Sequence, residues 1–179
     1  MALAHSMTMK PKDAKERNQS LISIVDDEAC VREALSSLVR SEGYKSEEFD
    51  STESFLAHGK WDETACLILD VRLPKMGGLA LQRRLAQMDC QHLPIVFISG
   101  HATEKEKACA LQEGAVAFLR KPFTDESLLQ AVRDSIARGE AADPDLPREY
   151  SFLGMSRDDL VRVAEEKAAA GFRNSPERN

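Results

Sequence analysis

The chain reads as an α/β protein, a doubly wound five-stranded parallel sheet with helices on both faces, followed by a C-terminal helical extension. Two observations predict this. Short apolar runs alternate five times with segments of helical periodicity, and each intervening segment is long enough for the crossover that parallel pairing requires. The runs at Leu21–Val25 and residues 66–69 are continuously apolar or nearly so, as expected of strands covered on both faces.

The elements follow in order. After the first run, Val31, Leu35, Leu38 and Val39 recur at helical spacing, and Gly43 acts as a stop. Residues 44–49 form a second, more polar strand, which suits a sheet edge. Ser51-Thr52-Glu53-Ser54 opens a short helix carrying Phe55 and Leu56. Residues 66–69 are the third strand, and Leu81, Leu85 and Met88 mark the next helix, which ends before Pro94. Residues 94–98 are the fourth strand, and a polar helix over 103–113 closes on Gly114. Residues 116–119 are the fifth strand. Leu128, Leu129, Val132 and Ile136 line a last helix opened by Thr124 or Asp125.

The boundaries suggested are a disordered leader over 1–20, a globular unit over 21–139, and a linker with one amphipathic helix over 140–179. The leader lacks the continuous apolar centre of a signal peptide, and Met7 and Met9 are alternative starts. In the tail, Ser156 can cap a helix running to Ala170, with Met155 and Leu160 as a hydrophobic staple. Its stripe of Leu160, Val163 and Ala164 is too thin to form a core.

A net charge of -6 provides no chain-wide basic field for nucleic acid or an anionic membrane. The apolar stretches fall far short of the roughly 20 residues that span a bilayer. Cys30, Cys66, Cys90 and Cys109 are scattered without a Cys-x-x-Cys pair, which suggests buried or half-buried thiols in a reducing cytoplasm.

The chemistry lies where strands end. Asp26 and Asp27 terminate the first run, Asp70 the third, and Lys121 follows the fifth. In neighbouring parallel strands these C-terminal ends share one sheet edge, where open α/β folds place their ligands. Three carboxylates and an ammonium gathered there would hold a divalent cation and a phosphoryl group, with Asp70 as nucleophile. Adjacent Asp26 and Asp27 suit Mg²⁺, which takes one or two carboxylates with retained waters. Alone, the pair reads equally well as a helix N-cap. The sequel Val71-Arg72-Leu73-Pro74-Lys75-Met76-Gly77-Gly78 makes a tight loop that leaves Asp70 accessible. Ser99, before Gly100, offers a hydroxyl to a phosphoryl oxygen or is a simple turn residue. Lys121 precedes Pro122, where a cis bond would aim the lysine at the cluster.

The segments ISIVDDE, LILDVRLPKMGG, FISGHA and AFLRKPF fall in an order that resembles the receiver domain of two-component response regulators, a CheY-like fold. The GHA and GAVAFLRKPF phrasing is most similar to the FixJ-type branch. The resemblance covers about residues 20–138. It implies that Asp70 accepts phosphate from a sensor histidine kinase or a phosphotransfer protein. Mg²⁺ would be bound by Asp27, Asp70 and the backbone carbonyl of Arg72, with Asp26 acting through water. Ser99 and Lys121 would bind phosphoryl oxygens. Phe118 occupies the aromatic switch position, whose ring would rotate inward after Ser99 moves. Arg72 and His101 occupy the two positions that flank the phosphate and modulate access of hydrolytic water.

On this reading the chain is a receiver that phosphorylates and dephosphorylates itself rather than a true enzyme. Its output surface would be the face of the fourth helix, fifth strand and fifth helix, meeting a downstream protein or a second copy. FixJ-type proteins carry a DNA-binding domain after the receiver. Residues 140–179 hold six Arg/Lys against nine Asp/Glu, the wrong sign for phosphate-backbone contact. A stand-alone receiver in the cytoplasm, with no direct nucleic-acid or membrane contact, is therefore expected. The alternatives are a transcription regulator whose output domain is absent from this chain, and a phosphate sink for a kinase.

Overall fold

The computed structural model describes residues 20–59, 61–88 and 93–141. The leader up to residue 19, Cys90, and the proposed linker and tail helix lie outside the described residues. The elements run β1 (Leu21–Val25), α1 (Ala29–Ser41), β2 (Lys45–Phe49), α2 (Thr52–His58), a 3-10 turn (Trp61–Glu63), β3 (Thr64–Asp70), α3 (Gly78–Gln87), β4 (Ile95–Ser99), α4 (Glu104–Gln112), β5 (Ala117–Arg120) and α5 (Asp125–Ala141). All strand pairs are parallel, in the order β2-β1-β3-β4-β5. The polar β2 is at an edge, as its composition suggests.

Alternation along each strand builds two apolar layers. Ile22, Ile24, Cys66, Ile68, Val96 and Ile98 face Leu35 and Val39 of α1 and Leu128 and Val132 of α5. Val25, Leu67, Leu69, Ile95, Phe97 and Phe118 face Phe55, Leu81, Leu85 and Ala110 of the other helices. Each strand thus spends its side chains on both faces, which is why the runs read as continuously apolar.

Helix ends follow their local signals. Ser51 accepts a hydrogen bond from the Ser54 N–H at the start of α2, and Thr103 and Glu106 form a reciprocal capping box at the start of α4. Gly43 and Gly114, both at positive φ, follow α1 and α4.

Three expectations need correction. Met88 has core spacing, yet it caps the C-terminus of α3 and is exposed, because the helix ends before it could turn inward. Cys30 is exposed rather than buried, lying in the first turn of α1 on the side away from the sheet residues that cover Leu35 and Val39. The 3-10 turn at Trp61–Glu63 has no counterpart in the sequence pattern, since three residues carry no periodic signal.

α4 differs from the other helices. Its only buried residue is Ala110. One methyl-sized group contributes on the order of 1 kcal/mol of burial. Polar contacts therefore decide where α4 sits. Gln82 on α3 is buried and donates through Nε2 to the carbonyls of Ala110 and Glu113, each at 3.1 Å. Arg83 donates from Nε to Glu113 at 2.9 Å and from Nη2 to Cys109 Sγ at 3.1 Å.

The loop after β3 is folded tightly against that strand. The Gly78 N–H donates to the Val71 carbonyl at 3.1 Å. Buried Thr52 donates from Oγ1 to the Met76 carbonyl at 3.1 Å. A Cβ on Gly78 would lie 2.3 Å from the Asp70 carbonyl oxygen, against backbone that cannot swing aside. Gly78→Ala should therefore destabilise the fold by about 1–3 kcal/mol, the usual cost of overpacking. A urea midpoint equal to the parent's would contradict the close approach.

Candidate functional site

Strand register assembles the site. Val25 pairs with Leu69, so Asp26 and Asp70 each stand one residue beyond a paired position. Asp70 pairs with Ile98, placing Ser99 just past it, and Ser99 pairs with Arg120, placing Lys121 just past that. Four residues distant in sequence thus reach one edge of the sheet. The Lys121 N–H donates to the Ser99 carbonyl at 2.9 Å, and the Lys121–Pro122 bond is cis.

Lys121 Nζ lies 2.8 Å from Asp26 Oδ2 and 3.1 Å from Asp70 Oδ1. The second oxygen of each carboxylate is also held. Asp26 Oδ1 accepts from the Glu28 N–H at 2.9 Å, and Asp70 Oδ2 accepts from the Arg72 N–H at 2.6 Å. Both carboxylates are buried, Asp26 at 0% exposed and Asp70 at 5%. One ammonium thus bridges two carboxylates that would otherwise face each other in a poorly solvated place.

The remaining residues differ in their roles. Asp27, next in sequence, is exposed, whereas Asp26 and Asp70 are buried. Asp26 still follows the ladder, its N–H donating to the Phe49 carbonyl at 3.2 Å, while Asp27 stands in the loop that opens α1. Ser99 is fully buried, and its Oγ accepts from the His101 N–H at 3.3 Å. His101 itself is exposed. The Phe118 ring is already buried, stacked on Phe97 with centroids 6.0 Å apart. Register pairs Phe118 with Phe97 on the neighbouring strand.

Sequence reasoning missed one set of contacts. The Arg72 guanidinium leaves the edge and donates from Nη2 to Glu106 Oε2 at 3.0 Å and to the His101 carbonyl at 3.4 Å. Arg120, adjacent to Lys121, donates from Nη2 to Glu104 Oε1 at 2.6 Å and to the Ala102 carbonyl at 3.1 Å. Both arginines therefore reach the start of α4. The Thr103-x-x-Glu106 spacing was the one available signal, and it announces the cap rather than the arginine partner.

All carboxylate donors at this edge are oxygens, and Asp26 and Asp70 already share one cation. That fits a hard divalent ion taking one or two carboxylates with waters and phosphate. Among the described residues, no group of three or more His, Cys, Asp or Glu side chains is arranged to hold a metal.

Burial raises the Asp70 carboxyl above its ordinary 3.8, outweighing the Lys121 charge and the Arg72 N–H. For Lys121, burial pulls the ammonium down, but the Asp26 hydrogen bond and the Asp70 charge together hold it above its ordinary 10.5. The folded chain therefore holds the Asp70 proton more tightly than the unfolded chain does. The stability this contributes is present below 3.8 and is lost as pH rises through the raised folded value. Asp70→Asn should accordingly be more stable than the parent at neutral pH, with the gain fading as pH falls through the raised folded value and gone below 3.8. Urea midpoints on both sides of that range test this; a less stable variant at neutral pH would contradict it.

Comparison with known proteins agrees with this geometry. Residues 22–133 match the model of the response regulator receiver domain. The chain is 47% identical over 118 residues to the response regulator protein TmoT of Ectopseudomonas mendocina, covering 66% of this chain and 53% of that protein. It is 44% identical over 129 residues to the response regulator protein TodT of Pseudomonas putida, covering 72% and 56%. The chain thus spans just over half the length of these curated relatives. Among solved structures, the response regulator StyR aligns with a TM-score of 0.64 at 30% identity, over 89% of this chain and 72% of that one. FixJ-N aligns with a TM-score of 0.60 at 31% identity, over 66% and 94%. With a paired Asp26–Lys121–Asp70 edge on a five-stranded parallel sheet, and a family match over most of the described residues, this chain belongs to the response regulator receiver domains of two-component signalling.

Proposed function

We propose that Asp70 is a phosphoacceptor that takes a phosphoryl group from a phosphohistidine on a sensor kinase or phosphotransfer protein. The observation that carries this reading is the Lys121 ammonium bridging Asp26 and Asp70 at the sheet edge. An oxygen of Asp70 attacks phosphorus, the P–N bond to the donor imidazole breaks, and the imidazole keeps the electron pair and takes up a proton. Lys121 is placed to follow the charge from the carboxylate to the phosphoryl oxygens, and buried Ser99 would offer its hydroxyl to another. Arg72 N–H fixes the orientation of the attacking carboxylate.

Mg²⁺ would be held by Asp70, Asp27 and the Arg72 carbonyl, with Asp26 acting through water, and when bound it supplies neutralisation of phosphoryl charge. The protein's own contribution is orientation and a fixed ammonium. We class the chain as a self-phosphorylating and self-dephosphorylating receiver, not a turnover enzyme. Arg72 and His101 would govern the access of water that hydrolyses the acyl phosphate, and the Arg72 contact with the His101 carbonyl supports treating them as one gate.

Phosphorylation adds about -1.5 to -2 charges at this edge. Its effect would pass to the face of α4, β5 and α5, which would meet a downstream protein or a second copy in the cytoplasm. Reversing a switch from 1:99 to 99:1 needs about 5.5 kcal/mol of differential stabilisation. A helix that buries only Ala110 is a suitable element to move for that amount. Among the described residues no helix is long and apolar enough to cross a membrane.

A second reading is a transcription regulator. It is favoured by relatives named transcriptional regulatory proteins, including FixJ of Rhizobium meliloti at 32% identity over 125 residues and 61% of its length. On this reading the DNA-binding output domain is absent from this chain, so a longer open reading frame whose phosphorylated product retains DNA in a gel shift separates the two.

The central test treats the parent and Asp70→Asn with a small phosphodonor and Mg²⁺. Stable label in the parent and none in the variant is expected, and equal label in both would remove Asp70 as acceptor. Substituting Ala for Arg72 or for His101 should change the rate of phosphate loss; unchanged rates for both would exclude the gate.

A further inference from the structure

We propose that Glu106 is a positioning residue for the acceptor site: it holds the Arg72 guanidinium on the first turn of α4 and so sets the lifetime of a phosphoryl group on Asp70. This rests on the reading of Asp70 as acceptor.

Arg72 begins at the reacting carboxylate, because its own N–H donates to Asp70 Oδ2 at 2.6 Å. Its side chain nevertheless departs, placing Nη2 at 3.0 Å from Glu106 Oε2. The two partners are unequally fixed. Glu106 Oε2 also accepts from the Thr103 N–H and the Thr103 hydroxyl, each at 2.8 Å, so the carboxylate is built into the helix start. The Thr103 contacts, with Arg72 adding to them, hold its carboxyl below the ordinary 4.5, and it stays ionised at neutral pH. The Arg72 side chain is 55% exposed, and among the described residues its second contact is the His101 carbonyl. Glu106 is the fixed anion, and Arg72 is the part free to move.

A phosphoryl group on Asp70 would be a second, more highly charged anion within the compass of the same guanidinium, with oxygens suited to its fork. Arg72 then has two alternative partners. While it stays with Glu106, the approach of water to phosphorus is open. When it turns to the phosphoryl group, that approach is covered and the first turn of α4 loses one of its two arginine contacts. The other, Arg120 on Glu104, starts beside Lys121 rather than beside the acceptor. It offers an internal control, an ion pair on the same turn with no arm at Asp70.

Exposed ion pairs of this kind shift an equilibrium by a small factor. Removing the Glu106 charge should therefore slow phosphate loss about twofold to fivefold. The experiment labels the full chain with a small phosphodonor and Mg²⁺, removes the donor and times phosphate release. The parent, E106Q, R72A, the E106Q/R72A double variant and E104Q are compared. Expected are slower release from E106Q, release from the double variant equal to that from R72A, and release from E104Q equal to the parent. Parental release from E106Q, an E106Q effect that persists without Arg72, or the same slowing in E104Q would each overturn the proposal. A parent that takes no label, or an Asp70→Asn variant that labels equally, would instead overturn the acceptor reading beneath it.

Discussion

One ammonium between two buried carboxylates organises this protein. Asp26 and Asp70 repel each other and are both removed from water, and Lys121 is what lets them stay charged together. Such a triad is weak evidence for stability, because desolvation consumes much of the Coulomb gain. The raised Asp70 carboxyl says the same in another way, since burial outweighs its partners. The fold holds this edge in spite of its cost, by means of the two apolar layers beneath it. That is the pattern expected where a site is kept for chemistry.

The loops around the triad serve the same end. Gly78 lets α3 begin against the Asp70 carbonyl, Thr52 ties the loop at Met76, and the Glu28 N–H and Arg32 side chain hold Asp26 from the start of α1. Each is short-range and sterically determined, so the carboxylates have little room to drift. α4 stands in contrast. Held by Gln82, Arg83, Arg72 and Arg120 rather than by an apolar stripe, it can shift by exchanging polar contacts without opening the core. An edge held by short local contacts thus stands beside a helix moored by polar ones.

Much of this was legible in the sequence for one reason: strand ends are marked locally. An apolar run that stops at Asp26, at Asp70 or just before Arg120-Lys121 announces both the strand and its edge residue, and parallel order then brings the edges together. Helix starts at Ser51 and Thr103 are marked just as locally. What could not be read depends on tertiary placement. Nothing in the spacing of Arg72 and Glu106, or of Gln82 and the Ala110 carbonyl, says that they meet. Adjacent Asp26 and Asp27 look equivalent in sequence, and only the tertiary contact of the Asp26 N–H with the Phe49 carbonyl separates the buried one from the exposed one. Met88 shows the converse error, where periodicity continued past the last turn of its helix.

Among the described residues β2 has a neighbour on one side only. An unpaired row of amides and carbonyls is an invitation for another chain to add a strand. Here the row is five residues long and carries Lys45, Glu47 and Glu48. A copy arriving edge-on would meet like carboxylates along a segment too brief to template further growth, so the sheet is guarded against open-ended stacking at the very side its polar composition first singled out.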